Sequence, residues 1–146
     1  MTATPAPLGP ADRAPGDVLF AYGTLQFPQV LTALLGRCPH LSPLTLSNWR
    51  AAALTGRVYP GLVAGAGARV RGRLLHGLTA AEWRVLDDFE GPEYALVRPD
   101  PARPEVLTYR WLGPVLDADW STAEFAAGHL SGFVAASTPG AGAPRG

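Results

Sequence analysis

The chain has 146 residues, a formal net charge of +0 and 47% hydrophobic residues, which fits one domain that buries its own core. The balanced charge offers no basic footprint for nucleic acid or for an anionic membrane, and no apolar run approaches the roughly 20 residues of a membrane helix. All 12 basic side chains are arginines, which excludes a lysine Schiff base and a Walker-type lysine.

The two ends of the chain are rich in proline, alanine and glycine. We predict a disordered arm over residues 1–16, a domain over residues 17–136 and a disordered tail over residues 137–146. The first residues also lack the apolar core of a signal peptide. We therefore expect a cytoplasmic protein.

Between these ends, strand-like and helix-like segments alternate. A short apolar strand, expected to be buried on both faces, covers residues 17–21. A helix then begins at Pro28 and ends at Gly36. Further strands are predicted at residues 44–54, 62–63, 69–75, 94–97 and 106–112, with further helices at residues 79–90 and 119–135. Antiparallel strands with a few helices predict an α+β domain.

The chain contains one cysteine, Cys38, and three histidines. A single cysteine excludes an internal disulfide and a cysteine-based zinc cluster. The histidines lack the spacing of metal ligands. The sequence therefore predicts no metal site.

The helix over residues 79–90 has clear signals at both ends. Thr79 and Glu82 have the spacing of a capping box, and Gly91 followed by Pro92 predicts its end. Projected at about 100° per residue, the helix has one apolar sector, formed by Trp83, Val85, Leu86 and Phe89. Arg84, Asp87 and Asp88 point away from it, and Glu82 falls inside it as part of the cap. Glu90, however, falls inside the apolar sector.

Glu90 occupies a position that disfavours a charged carboxylate. The last turn of a helix faces the negative end of its macrodipole, and partial burial penalises the charge as well. Both effects would raise the pKa of Glu90 above its free value of about 4.3, toward the range in which a carboxylate exchanges protons at neutral pH. The alternative is that the helix frays over residues 86–90 and the side chain is solvated, as most carboxylates are.

The first strand runs directly into the turn Tyr22-Gly23-Thr24-Leu25. Glycine permits a positive φ angle and the close approach of another group. Successive N–H groups at such a turn can form a nest for a carboxylate or a developing oxyanion. The alternative is an ordinary strand-to-helix turn, with Gly23 for its geometry and Tyr22 for packing.

Five segments occur together in an order and spacing that resemble a known family. They are VLFAYGTLQ at residues 18–26, YPG at 59–61, LLHGLTAAEWRVLDDFEG at 74–91, EY at 93–94 and LTYRW at 107–111. The family is the gamma-glutamylcyclotransferase-like family, which includes the gamma-glutamylamine cyclotransferases and the plant avirulence-induced proteins. The resemblance covers most of the chain between the two arms.

The resemblance implies a small mixed β-barrel with flanking helices. It implies that Tyr22, Gly23, Thr24 and Leu25 bind the glutamyl part of a substrate, partly through backbone amides, and that Glu90 is the general acid and base. The reaction would be an intramolecular attack of the substrate's α-amine on its γ-carbonyl, which releases 5-oxoproline and a free amine without a cofactor. With the turn and Glu90 both present, the catalytic interpretation of Glu90 is favoured.

One element departs from the family pattern. Members usually carry an arginine two residues after the tyrosine of this region, but Tyr94 is followed by Ala95 and Leu96, with Arg98 further on. Two alternatives therefore stay open: a non-catalytic module that binds a small ligand, and a lyase that acts on another amine-bearing metabolite. In each case we expect a monomer with a small-molecule ligand.

Overall fold

A computed structural model describes residues 6–137, which form a five-stranded sheet with helices against one of its faces. The strands are β1 (Val18–Ala21), β2 (His40–Ala52), β3 (Gly61–His76), β4 (Tyr94–Val97) and β5 (Val106–Trp111). The helices are α1 (Pro28–Leu35), α2 (Ala80–Glu90), α3 (Thr122–Gly128) and α4 (Leu130–Ala136). The predicted α+β class is confirmed.

The sheet is mixed and open. Its strand order is β2-β3-β1-β5-β4, with β1 and β5 parallel and the other pairs antiparallel. Because β2 and β4 lie at the two edges and do not pair with each other, the predicted barrel is only a loose description. The fold class stands, but an open mixed sheet describes it better.

β1 lies at the centre of this sheet and is buried on both faces, as predicted. Leu19 and Ala21 pack into the cluster that contains the helices. Val18 and Phe20 pack into a second cluster made of strand residues on the opposite side. Alternate side chains of a strand point to opposite faces, so a continuous apolar run belongs in a strand covered on both sides.

β2 and β3 form a long antiparallel hairpin with a register shift in its middle. The strands predicted at residues 62–63 and 69–75 are parts of the single strand β3. The register shifts between Ser47 and Trp49, where Asn48 has a φ of 67° and its Oδ1 accepts a hydrogen bond from the Gly67 N–H at 3.1 Å. Between these paired positions β2 has one residue and β3 has four, 65–68, so the extra residues bulge from β3 without ending it. The bulge explains why the sequence pattern breaks there.

The last predicted helix, residues 119–135, is two short helices that meet at His129. It begins late because Ser121 is the cap: its Oγ accepts from the Glu124 N–H at 3.1 Å. Asp119 instead forms a bridge with Ala52 at the end of β2. The residues just before the cap therefore extend the sheet contacts rather than the helix.

Residues 1–5 of the predicted arm and 138–146 of the predicted tail lie outside the described residues. The rest of the arm makes contacts with the domain, although its composition favours disorder. The Leu8 N–H donates to the Leu96 carbonyl at 2.7 Å, and residues Pro10–Asp12 form one turn of 3-10 helix. Arg98 donates to the Asp12 carbonyl at 2.9 Å. These contacts cannot be predicted from local composition, because the two partners in each hydrogen bond lie more than 80 residues apart in the sequence. The domain boundaries themselves stay a prediction.

Candidate active site

Helix α2 is intact from its capping box to Glu90. Thr79 Oγ1 accepts from the Glu82 N–H at 3.1 Å, and Glu82 Oε1 accepts from the Thr79 N–H at 3.0 Å. At the other end, the Gly91 N–H donates to the Asp87 carbonyl at 3.0 Å. Glu90 is only 3% exposed. The frayed-helix alternative is therefore wrong, and the prediction that this side chain is held out of water is confirmed.

The predicted apolar sector of α2 needs two corrections. Val85 was placed in it but is 37% exposed, because the buried face of the helix turns from Trp83 through Leu86 to Phe89 and Glu90. Asp87 was expected to point away, yet it is only partly exposed and takes part in the hydrogen bonds described below.

Glu90 lies in the wall of a small cavity beside the turn that follows β1. The lining residues are Phe20, Ala21, Tyr22, Gly23, Leu25, Pro60, Glu90 and Tyr109. Three of the four predicted binding residues are in this list, and the fourth, Thr24, is fully buried between them in the chain. The two distant segments singled out in the sequence therefore meet in space.

The cavity is very small in this state of the protein. Its volume is about 10 Å³, which is close to the smallest space that holds one water molecule. Tyr22 and Leu25 are also buried. A substrate larger than water therefore requires the cavity to open.

Of the two reasons that the sequence suggests for Gly23, the structure contains one. Its φ is −118°, so the positive φ that glycine permits is not used. A Cβ at this position would lie 2.7 Å from Pro60 Cγ, which is far inside van der Waals contact. The other anticipated use of glycine, a close approach, is the one that the structure contains.

The turn is tied to β5 and to itself. The Tyr22 hydroxyl donates to the Tyr109 carbonyl at 2.6 Å, and Gln26 Nε2 donates to the Tyr22 carbonyl at 2.9 Å. The Gln26 N–H then donates to the Gly23 carbonyl at 3.2 Å, which closes one turn of 3-10 helix over Thr24–Gln26. The predicted anion nest would consist of the N–H groups at the start of that turn, and it stays a prediction.

Three buried tyrosines lie close enough to Glu90 to interact with its charge. Burial, more than any other cause, raises the pKa of Tyr22, Tyr94 and Tyr109 above the usual value, and the charge of Glu90 raises each pKa further. Tyr94 also donates to the Pro60 carbonyl at 2.7 Å. All three phenols therefore keep their protons at neutral pH, and they serve as hydrogen-bonding groups and not as bases. Among the residues that line the cavity, Glu90 is the one with a carboxyl group that can exchange a proton.

Sequence reasoning assigned no role in this region to Tyr109, Asp87 or Arg13. The Tyr109 hydroxyl donates to Asp87 Oδ1 at 2.7 Å, and Arg13 Nη1 donates to Asp87 Oδ2 at 2.8 Å. Strand alternation could have found Tyr109, because it shares a face of β5 with Leu107 and Trp111 in the helix-side cluster. No local signal identifies Arg13, which lies in the segment expected to be disordered.

A larger pocket lies beside the Glu90 cavity. Its volume is about 350 Å³, and the ion pair between Arg57 and Glu93, with Nη1 and Oε1 2.7 Å apart, lies on its wall together with Trp111. The same three chain segments line both spaces. The pairs of nearby residues, cavity first and pocket second, are Pro60 and Arg57, Glu90 and Glu93, and Tyr109 and Trp111.

Leu96 stands where the family pattern has an arginine after Tyr94, and its surroundings are apolar. Leu96 is 5% exposed and pairs with Tyr109 across β4 and β5. Arg98 does not line the cavity. It contacts Asp17, with its Nη1 3.3 Å from Oδ1, and the Asp12 carbonyl, and neither residue lines the cavity.

Within residues 6–137, no group of three or more histidine, cysteine, aspartate or glutamate side chains is arranged to hold a metal ion. In the same part of the chain, every helix is too short or too polar to cross a membrane.

Residues 19–122 match the family model described as gamma-glutamyl cyclotransferase, AIG2-like. This match spans most of the chain and includes both segments of the cavity. The protein therefore belongs to the gamma-glutamyl cyclotransferase, AIG2-like family. Membership implies a cyclotransferase-like enzyme with a small-molecule substrate.

Curated relatives and solved structures agree with this assignment. The chain is 32% identical to AIG2-like protein D of Arabidopsis thaliana over 80% of this chain and 83% of the relative, and 34% identical to AIG2-like protein C of the same plant over 81% and 74%. Two solution structures of Arabidopsis thaliana proteins share the fold. One has a TM-score of 0.58 and 29% identity over 82% of this chain and 86% of the other. The second has a TM-score of 0.59 and 25% identity over 92% and 82%.

Proposed function

We propose that the protein is a gamma-glutamyl cyclotransferase that converts a small γ-glutamyl amide into 5-oxoproline and a free amine, with Glu90 as general acid and base. The observation that carries this proposal is that the buried Glu90 shares one cavity wall with Tyr22, Gly23 and Leu25. In this proposal, Thr24 completes the segment that binds the glutamyl group.

The chemistry needs one group that first accepts and then donates a proton. The substrate's α-amine attacks its own γ-carbonyl, a C–N bond forms in a five-membered ring, and the amide C–N bond breaks. Glu90 takes the proton that the attacking amine loses and delivers it to the leaving amine, so the protons balance and no electrons are exchanged. A carboxylate whose pKa is raised toward neutrality serves both steps, and a fixed orientation favours an attack within one molecule.

Substrate entry requires movement of the walls. The cavity of about 10 Å³ cannot hold a glutamyl group, so the turn after β1 or the Pro60 segment moves when substrate binds. Closure around the bound group would then exclude water from the reaction. The prediction of a raised pKa for Glu90 belongs to this mechanism and is checked by a carboxyl titration followed by NMR.

The test is product formation from defined γ-glutamyl compounds. Purified protein is incubated with a panel of γ-glutamyl amino acids and γ-glutamyl amines of the lysine type, and 5-oxoproline and the released amine are quantified together. We expect equal molar amounts of both products from at least one compound. Release of glutamate in place of 5-oxoproline, or no product from any compound, would contradict the proposal.

The second candidate is a binding module that has lost the reaction. The observation that favours it is Leu96, a buried apolar residue at the position where the family usually has arginine. This candidate predicts that γ-glutamyl compounds raise the melting temperature without forming product. Consumption of an unrelated amine-bearing metabolite in a wider panel would instead favour the lyase alternative. A cytoplasmic location and a monomeric state stay predictions under each candidate.

A further inference from the structure

The segment before the first strand reaches the Glu90 cavity through three side chains. Arg13 Nη1 donates to Asp87 Oδ2 at 2.8 Å, and Asp87 Oδ1 accepts from the Tyr109 hydroxyl at 2.7 Å. Tyr109 lines the cavity together with Glu90. Arg13 precedes residue 19, where the family match begins, so these contacts start in a part of the chain that the family model does not cover.

Arg13 is held in place on two sides. Its guanidinium carbon lies 4.8 Å from the centroid of the Trp83 ring, and its side chain is 11% exposed while that of Asp87 is 31% exposed. A guanidinium over a tryptophan face gains a cation–π attraction in addition to its ion pair. Since Trp83 and Asp87 lie on successive turns of α2, the contact fixes Arg13 against the same helix that carries Glu90.

These contacts determine where the hydroxyl proton of Tyr109 points. A phenol has one proton to donate, and Tyr109 donates it to Asp87. Toward any further partner, the phenol oxygen can then only accept. The attacking amine of the proposed reaction needs acceptors for its N–H groups while its lone pair faces the carbonyl, and Glu90 and Tyr109 would supply two.

We propose that Arg13 is a positioning residue of the Glu90 site, which holds Asp87 so that Tyr109 presents an acceptor to the cavity and which balances the second negative charge near Glu90. The orientation role rests on the proposed function. The charge role concerns the Glu90 site alone, and it can be measured without a substrate.

The tyrosines that interact with Glu90 do not change their charge near neutral pH. Tyr22 on β1, Tyr94 on β4 and Tyr109 on β5 interact with it, and burial keeps their pKa values above the usual range, so all three stay neutral. The neighbouring helices α1 (PQVLTALL) and α4 (LSGFVAA) carry no titratable side chain. The Arg57–Glu93 ion pair, on the wall of the larger pocket, is another charged pair in this region, and the variants used below leave it unchanged. Asp87 and its partner Arg13 are the charges that those variants remove.

The decisive test uses the sign of the charge. Removing a cation should disfavour the carboxylate form of Glu90, and removing an anion should favour it. We therefore expect Arg13→Gln to move the Glu90 carboxyl titration, followed by carbon-detected NMR, to higher pH and Asp87→Asn to move it to lower pH. The matched controls are the exposed residues Arg84→Gln and Asp88→Asn on the same helix, which should move it less. Shifts in the same direction, or no larger than the controls, would overturn the proposal.

Turnover supplies the second readout. Arg13→Gln should lower kcat by about ten- to a hundredfold, because a misplaced group costs orientation, with KM changed less. Arg13→Lys, which keeps the charge, should recover part of the loss and serves as the main variant if Arg13→Gln does not fold. Opposite NMR shifts without turnover of any γ-glutamyl compound would refute the proposed function and leave the charge role standing. Turnover of Arg13→Gln equal to that of Arg84→Gln would refute the positioning role and leave the function standing.

Discussion

The two ends of helix α2 each carry a glutamate, and the surroundings of the two side chains differ in almost every respect. Glu82, in the first turn, accepts from the Thr79 N–H at 3.0 Å and from Arg37 Nε at 2.7 Å, and these contacts, Arg37 foremost, lower its pKa. Glu90, in the last turn, is 3% exposed and faces a cavity among tyrosines.

The contrast separates a carboxylate that supports the helix from one that does not. A negative charge in the first turn is favoured by the helix macrodipole, whereas the same charge in the last turn is disfavoured. Burial adds to the cost at Glu90. A residue that lowers stability at its own position is expected where function requires it, so the two glutamates should respond to the same substitution in opposite ways.

Glu90→Gln should produce the largest effect on activity. Glutamine keeps the shape but cannot exchange a proton, so kcat/KM for release of 5-oxoproline should fall by about 10² to 10⁴. The melting temperature should stay the same or rise, because a disfavoured charge is removed. Glu82→Gln is the matched control in the same helix, and it should keep its turnover while its stability falls. Equal activity in the two variants would end the assignment of Glu90 as the proton shuttle.

Gly91→Ala should give the largest loss of stability at this helix. Gly91 has φ 74° and ψ −171°, a region that costs other residues about 1–3 kcal/mol. Urea unfolding of the variant should show a loss in that range, together with lower turnover because the direction of Glu90 depends on this cap. Pro92→Ala, one residue further on, is the control. A loss no larger than in the control would mean that the backbone relaxes freely at this end.

Much of the fold follows from local sequence signals. Strand β4 lies at the predicted residues, and helices α1 and α2 begin and end where Pro28, Gly36, Thr79 and Gly91 predict. The continuous strand β3 was missed because the irregularity at Asn48 involves a contact with Gly67 on the neighbouring strand. The division of the last helix at His129 was missed as well. Strand order and the openness of the sheet likewise depend on pairing, which local patterns do not specify.

The site was only half visible in the sequence. Glu90 is a charged residue in the apolar sector of a helix, and the turn after β1 has a glycine directly after an apolar strand. Both features can be recognised from a few neighbouring residues. Asp87 and Arg13 carry no such local signal. An aspartate on the polar side of a helix and an arginine in a proline-rich arm are both ordinary, and only the folded structure shows that their side chains meet. Contacts across 74 residues are a property of the folded chain.

Thr79→Ala should weaken the opposite end of the helix by a smaller amount than Gly91→Ala. Loss of a threonine cap costs about 1 kcal/mol, and the remaining Glu82 contacts are retained. The free energy of unfolding in urea should fall accordingly, while kcat stays near that of the parent protein because Glu90 is eleven residues away. If kcat falls in Thr79→Ala as much as in Gly91→Ala, the two ends of the helix are coupled, and they cannot be assigned separate roles in stability and catalysis.

Glu82→Gln should produce the smallest loss, and that loss should depend on pH. The folded state lowers the pKa of Glu82 from its ordinary value of 4.5, through Arg37 first and the Thr79 backbone next. A lowered pKa means that the stabilisation is fully present above the unfolded value and is lost as the pH falls through the folded value. The difference in unfolding free energy between parent and variant should therefore be largest near pH 7 and shrink below about pH 4.5. High salt should reduce it too, since Arg37 is largely exposed and its ion pair is screened. A difference that stays constant from pH 7 to pH 3 would show that the carboxylate charge contributes nothing, and that the capping box acts through its neutral hydrogen bonds alone.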